Sequence, residues 1–168
     1  MIYVTVGSSE KGTEFDRLIK KIDELAKDIS EEIIMQIGSS NYIPKNTKYF
    51  RYCSYEKSLS FFSKAKLVIG HCGSGTIINA IKFNVPLIIV PRKLQYGELD
   101  TDDHQLILAR KLEETHYKIK IIYEVNDLED AIKQMLNNQY NITINESSYL
   151  RKESLIKTIK DFIQSLKK

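Results

Sequence analysis

Cysteine is scarce: Cys53 and Cys72 are the only two in 168 residues. Two thiols make no disulfide framework, and no charged-then-apolar leader precedes Ile2-Tyr3-Val4, so a reducing, cytoplasmic setting is expected. Long apolar runs are missing as well. The longest centres on Leu87 to Val90, far short of the roughly 20 residues that span a bilayer, so membrane association has to come through a partner or a surface. Nor is one sign of charge in excess. Twenty-five Lys and Arg against 22 Asp and Glu leave a net +3, without the concentrated basic stripe of a phosphate-tracking protein, and no nucleic-acid partner is expected.

What is present is enough apolar residue, 42% of the chain, for one domain with a real core. Ile2 to Val6 reads as a buried strand. The spacing of Phe15, Leu18, Ile19, Ile22, Leu25 and Ile29 predicts a helix with one apolar stripe. Strands are expected again at Ile33–Ile37, Tyr49–Tyr52, Leu67–Ile69, Leu87–Val90 and Ile119–Tyr123. Helices follow from a Ser54 cap to Ala65, from Ile77 to Ile81, from a Thr101 or Asp102 cap to Leu112, and from an Asp127 cap to Leu136. A polar stretch from about Asn137 to Ser148 reads as a loop, and its Asn141 and Asn145 sequons as incidental. A basic amphipathic helix, about 147–167, closes the chain, set either to pack on its own sheet or to dock on a partner or an anionic membrane. The alternation predicts a single α/β domain, Rossmann-like, with a mostly parallel sheet and helices on both faces. Such sheets bind ligands beyond the carboxyl ends of their strands, which places Gly7-Ser8-Ser9, Gly38-Ser39, His71 to Ser74 and Pro91 to Gln105 on one rim.

The stretch His71-Cys72-Gly73-Ser74-Gly75-Thr76 joins a strand to a helix. Glycines there let a ligand approach the backbone, and the free amides of a helix start favour an anion such as phosphate, with Ser74 or Thr76 adding a hydroxyl. An equally weighted reading makes the glycines a tight turn and Ser74 a helix cap. Asn84, before Val85-Pro86, has the place of a left-handed residue ending the helix. Asp102 to Gln105 put hydrogen-bonding groups at another helix start, as a sugar with several hydroxyls would require or as capping alone would. Other chemistries fit poorly. A nucleophile elbow needs Gly-x-Ser-x-Gly, which Ser74 lacks; the Gly-Lys-Ser/Thr ending of a P-loop and the dinucleotide fingerprint are absent. His71 beside Cys72, with His104 and His116 further on, lacks metal-ligand spacing, so no metal and no cofactor are expected. Cys72 with His104 as its base is a weaker reading than Cys72 as a small buried apolar residue.

The run HCGSGTIINAIKFNVPLIIVPRKLQYGELDTDDHQLILARKL, with IYVTVGSS and FDRLIKKIDELA before it, resembles the C-terminal, donor-binding half of glycosyltransferase family 28. The likeness extends from Met1 to about Leu136 and is strongest to short single-domain members. These are the cytosolic subunits of bipartite UDP-GlcNAc transferases in lipid-linked oligosaccharide synthesis, and bacterial PssE-like subunits of exopolysaccharide synthesis. The resemblance implies one half of a GT-B enzyme that binds a UDP-sugar. A membrane-associated partner subunit would supply the other half and a lipid-linked acceptor, and hold this chain peripherally at the membrane.

By position, the resemblance implies that Gly73, Ser74, Gly75 and Thr76 meet the donor phosphates and that Gly7 and Ser8 line the cleft. Asp103, His104 and Gln105 would face the sugar, and His71, a weak catalytic candidate, would lie beneath the diphosphate turn. The family usually has Glu on the ribose hydroxyls where this chain has Asn79, and Gly in place of Asn84. Asn79 can still bond a hydroxyl, without a carboxylate's charge assistance. The implied function is inverting transfer of GlcNAc, glucose or galactose from a UDP-sugar to a lipid-linked acceptor. The readings from other classes are a non-catalytic partner-binding protein that keeps the fold, and a stand-alone nucleotide enzyme such as a dehydrogenase.

Overall fold

The computed structural model describes residues 1–7, 12–113, 118–137 and 156–164. Six strands form one wholly parallel sheet in the order β3-β2-β1-β4-β5-β6. In chain order the elements are β1 (Ile2–Thr5), α1 (Asp16–Leu25), β2 (Ile33–Gln36), β3 (Lys48–Phe50), α2 (Tyr55–Lys64) and β4 (Leu67–Gly70). Then come α3 (Ser74–Lys82), β5 (Leu87–Ile89), α4 (His104–Glu113), β6 (Ile119–Ile121) and α5 (Leu128–Leu136). Helical residues 156–164 are α6.

Successive strand residues face opposite sides of the sheet, so each central strand feeds two cores. Ile2, Val4, Leu67, Ile69 and Ile88 pack with Leu18, Ile19 and Ile22 of α1 and with Leu128, Ala131, Ile132 and Met135 of α5. Tyr3, Val68, Leu87 and Ile89 point the other way, against Phe62, Ile77, Ala80, Ile81, Leu108, Ala109 and Leu112. Helices thus cover both faces, as the pattern predicts. Ile159 and Phe162 of α6 are buried in the second core, so this stretch packs on its own domain, at about 1.5–3 kcal/mol for each such side chain. The rest of the expected 147–167 helix, the Asn141 and Asn145 sequons and His116 lie outside the described residues.

Several boundaries move. α1 stops at Leu25: a turn closes from the Asp28 amide onto the Leu25 carbonyl, and Ile29 reaches the core from beyond the helix. The β1, β2, β3, β5 and β6 strands each end one or two residues early, since only the paired residues belong to the ladder. Ser54 does cap α2, its Oγ accepting from the Lys57 amide. Asp127 precedes α5 without capping it, because a 3₁₀ turn at Val125–Asp127 leads into the helix. α4 begins at His104, where Asp102 Oδ1 accepts from the His104 amide and the Asp103 carbonyl accepts the first helical bonds.

Asn84 meets its expectation. Its φ is 53°, its amide bonds Ile81 O and the Val85 amide bonds Ala80 O, the paired closure by which a left-handed residue ends a helix. Pro86 then turns the chain into β5.

Candidate functional site

The strand order reverses direction of growth between β1 and β4, and ligands of open parallel sheets bind in the crevice at that switch point. A cavity of about 510 Å³ opens there. Gly7 follows β1 and the turn from His71 follows β4, so both reach it from adjacent strands. The lining includes Gly7, His71, Gly73, Ser74, Gly75, Thr76 and Asn79, all anticipated in the sequence, together with Thr5, Gln36, Tyr52, Tyr55 and Ser58. Ser8 lies outside the described residues.

The floor is built around His71. A Cβ on Gly7 would stand 2.6 Å from His71 Cε1, and one on Gly73 would stand 2.2 Å from His71 Nε2. The imidazole therefore occupies the volume that any other residue would need on either side. Gly7 is also left-handed, at φ 74°. Gly75 differs: nothing lies within 4 Å of its would-be Cβ, so its missing side chain keeps space open rather than making room for the protein.

α3 starts at Ser74 with Gly73 as the capping residue, and no side chain caps it. Ser74 is therefore the first helical residue and not the cap. The amides of Ser74, Gly75 and Thr76 precede the helical ladder, whose first bond runs from the Ile77 amide to Gly73 O. Unpaired amides of this kind, with the positive end of the helix dipole, attract an anion. One turn further along the same helix, Asn79 presents an amide side chain to the cavity.

Asp103, His104 and Gln105 do not line this cavity. Asp103 borders a second one, of about 580 Å³, with Lys93, Gln95 and Arg110, and its Oδ1 accepts from the Leu94 amide at 2.8 Å. His104 Nδ1 pairs with Asp102 Oδ1 at 2.6 Å. Gln105 is buried, and its Oε1 accepts from the amides of Cys72 and Arg92, each at 3.1 Å. The three side chains have protein partners, which the reading of them as sugar contacts did not foresee.

Other side chains that build the site had little local signal. Gln36 Oε1 accepts from Thr5 Oγ1 and the amides of Val6 and Gly7, while its Nε2 donates to Gly7 O and Arg51 O. It fixes the end of β1 at the cavity. Arg92, 3% exposed, donates to Val6 O, Thr13 O and Glu98 O. Glu98 in turn takes Arg17 through both oxygens and the Lys93 amide. A polar glutamine inside an apolar strand was the one hint available. Tyr52 and Tyr55, at 58% and 62% exposure, form an open aromatic wall, although in the sequence pattern they stand only as a strand end and a helix start.

Burial pushes the His71 pKa down to about 4, and the Arg92 charge adds to the effect. The ring is neutral at pH 7. Since the folded state binds this proton only below about 4 and an unfolded histidine binds it near 6.5, folded chains carry fewer protons between those values. Stability should therefore fall as the pH drops from 6.5 toward 4, by on the order of 1–3 kcal/mol for a ring partly open to the cavity. Urea denaturation at pH 7 and pH 4.5 should show that loss, and His71→Gln should remove most of it. Burial likewise raises the Cys72 thiol to about 12, which leaves it an apolar filler and not a thiolate nucleophile. Among the described residues, no group of three or more His, Cys, Asp or Glu could hold a metal ion, and no helix is long and apolar enough to cross a membrane.

Residues 1–166 match the glycosyltransferase family 28 C-terminal domain. The UDP-N-acetylglucosamine transferase subunit ALG13 of Homo sapiens is 33% identical over 122 residues, 66% of this chain and 10% of that protein. Its namesake in Candida albicans is 31% identical over 87 residues, 51% of this chain and 27% of that one. The chain thus spans about a tenth to a quarter of the length of these relatives. The solution structure of ALG13 superposes with a TM-score of 0.58 at 18% identity, covering 95% of this chain and 96% of that one. The spinosyn forosaminyltransferase SpnP superposes at 0.60 and 13% identity, covering 99% of this chain and 42% of the enzyme, so the fold is that of one half of a GT-B glycosyltransferase. With its parallel sheet, its glycine-walled histidine turn and a family match along nearly its whole length, this chain belongs to the glycosyltransferase family 28 C-terminal domain family.

Proposed function

We propose that the chain is the donor-binding subunit of a two-component inverting glycosyltransferase, moving GlcNAc, glucose or galactose from a UDP-sugar to a lipid-linked acceptor. One observation carries the reading: a single cavity joins the unpaired amides at the start of α3, the Asn79 amide and the Tyr52–Tyr55 wall. Those three surfaces suit, in turn, a diphosphate, the hydroxyls of a ribose and the face of a base.

In a direct displacement, the acceptor oxygen attacks the anomeric carbon as the bond to the diphosphate oxygen breaks, and that oxygen keeps the electron pair. Negative charge grows on the leaving group. The preorganised amides of Ser74, Gly75 and Thr76 stabilise that charge more in the transition state than in the ground state, which is what accelerates a reaction. The acceptor's proton needs a base. His71, with a pKa of about 4, is too weak a base for that task near pH 7, and we assign it to shaping the turn. Base and acceptor site are proposed to come from a membrane-associated partner, which would place this chain at the cytoplasmic face of a membrane.

Transfer to a lipid-linked acceptor should be low for the purified chain and rise at least about a hundredfold with a co-expressed membrane subunit that completes the site. Full activity of the chain alone would refute the two-component reading. A second reading, a partner-binding protein without useful donor affinity, draws on Asn79: a neutral amide bonds hydroxyls less strongly than a carboxylate.

A further inference from the structure

We infer that Gln36 is a positioning residue that sets the span of the donor cavity, from Gly7 beside the phosphate-facing turn to Tyr52 of the aromatic wall. This deepens the donor-site reading above and rests on it for the nucleotide.

Gln36 is the last residue of β2, the strand between β1 and β3. β1 pairs only through Thr5 and β3 only through Phe50, so Gly7 and Tyr52 both lie just past the ladder. The Gln36 side chain bridges the two ends. Its Oε1 accepts from Thr5 Oγ1 at 2.8 Å and from the Val6 and Gly7 amides at 3.2 and 3.1 Å. Its Nε2 donates to Gly7 O at 3.0 Å and, on the other side, at 2.9 Å to the carbonyl of Arg51, the residue before Tyr52. Backbone N–H groups at one terminal atom and carbonyls at the other allow a single orientation of the amide. Gly38, left-handed at φ 54°, makes the close approach possible, since a Cβ there would stand 3.2 Å from Gly7 O.

The side chain borders the cavity, yet it has no hydrogen bond left to offer a ligand. Both Nε2 hydrogens are taken by carbonyls, and three donors crowd the oxygen, which exhausts a primary amide. Its effect on a donor must pass through the backbone it holds. A ligand reaching from the α3 amides to the Tyr52 wall needs both ends at the right separation, whereas a ligand at one end alone does not. UDP should therefore sense the loss of Gln36 more than its parts do.

The test compares wild type, Gln36→Met and Gln36→Glu. Before any ligand is added, the Nε2 protons of wild-type Gln36 should exchange about tenfold or more slowly than those of exposed glutamines; exchange at the exposed rate would overturn the tie. In Gln36→Met, UDP affinity followed by amide shifts should fall about tenfold, the scale of one buried bond. Uridine and pyrophosphate, each confined to one end, should change by less than about twofold, because the link and not the contact is lost. In Gln36→Glu the carboxylate faces two carbonyls without a donor, and burial raises its pKa. On acidification the neutral acid regains one donor, so UDP affinity relative to wild type at the same pH should recover about threefold or more between pH 8 and pH 5.5. Should Gln36→Met not fold, this pH comparison carries the test. A uridine or pyrophosphate loss as large as that of UDP, an unchanged UDP affinity in Gln36→Met, or a flat pH ratio in Gln36→Glu would each overturn the inference. If wild type binds no UDP, the donor-site reading fails, and proton exchange alone decides whether Gln36 joins the two strand ends.

Discussion

Gly73→Ala should lower transfer, measured with the completing subunit, by about a hundredfold, the scale of a misplacement of around 1 Å at a reacting centre. It should also destabilise the fold by about 1–3 kcal/mol, as overpacking does. The residue's φ of −101° is open to any amino acid, so backbone strain is not the cause. The cause is the 2.2 Å between the new methyl and His71 Nε2. Because the imidazole is also walled by Gly7 on its other side, it cannot swing away without disturbing β1, and the turn itself must move. Two controls isolate this. Adding His71→Ala should recover part of the lost stability, a non-additivity of about 0.5–3 kcal/mol between contacting residues. Gly75→Ala, facing open space, should hold or raise stability because alanine is the better helix former by about 1 kcal/mol. Any affinity it loses then reports on ligand approach alone.

Arg92→Met should destabilise the domain by about 3–5 kcal/mol, the scale for several buried acceptors losing a charged donor at about 1–3 kcal/mol each. For a chain of this size that corresponds to a fall of about 10 °C in the melting temperature. Three carbonyls, those of Val6, Thr13 and Glu98, lose a charged donor. Arg17 keeps its pair with Glu98, so the cluster is weakened rather than inverted in sign. Packing goes with the charge: the Arg92 guanidinium lies 5.2 Å from the centre of the Phe15 ring, and Arg17 lies at the same distance from that ring. Lysine should not rescue, since an ammonium cannot span carbonyls in two loops as a planar fork does. Calorimetric scans of the three proteins check the order wild type above both variants.

Local patterns carried the strands, the helices and the left-handed Asn84, because periodicity and helix-ending chemistry are properties of neighbouring residues. The position of the cavity followed from the general rule for parallel sheets, six of its lining residues from the turn and its helix, and Gly7 from the end of β1. The partners did not follow. Arg92 reaches carbonyls 86 and 79 residues away, and Gln36 reaches Gly7 across 29, separations at which no spacing rule operates. Glycine was the subtler case. Gly7, Gly73 and Gly75 look alike in sequence and were all given to the ligand, yet two make room for His71 and only the third faces open space. At Ser74 the reading of a cap gave way because Gly73, immediately before it, takes the extended conformation that starts the helix.

The central claim is that the crevice between β1 and β4 holds a nucleoside diphosphate at the start of α3. Titrating UDP into the isotopically labelled chain and following backbone amide resonances tests it most directly. The account predicts saturable shifts concentrated at Gly7 and Ser74 to Thr76, with Tyr52 and Tyr55 moving in the same titration. Absence of saturable shifts at millimolar UDP, both alone and with the membrane subunit, or shifts centred elsewhere on the domain, would contradict it.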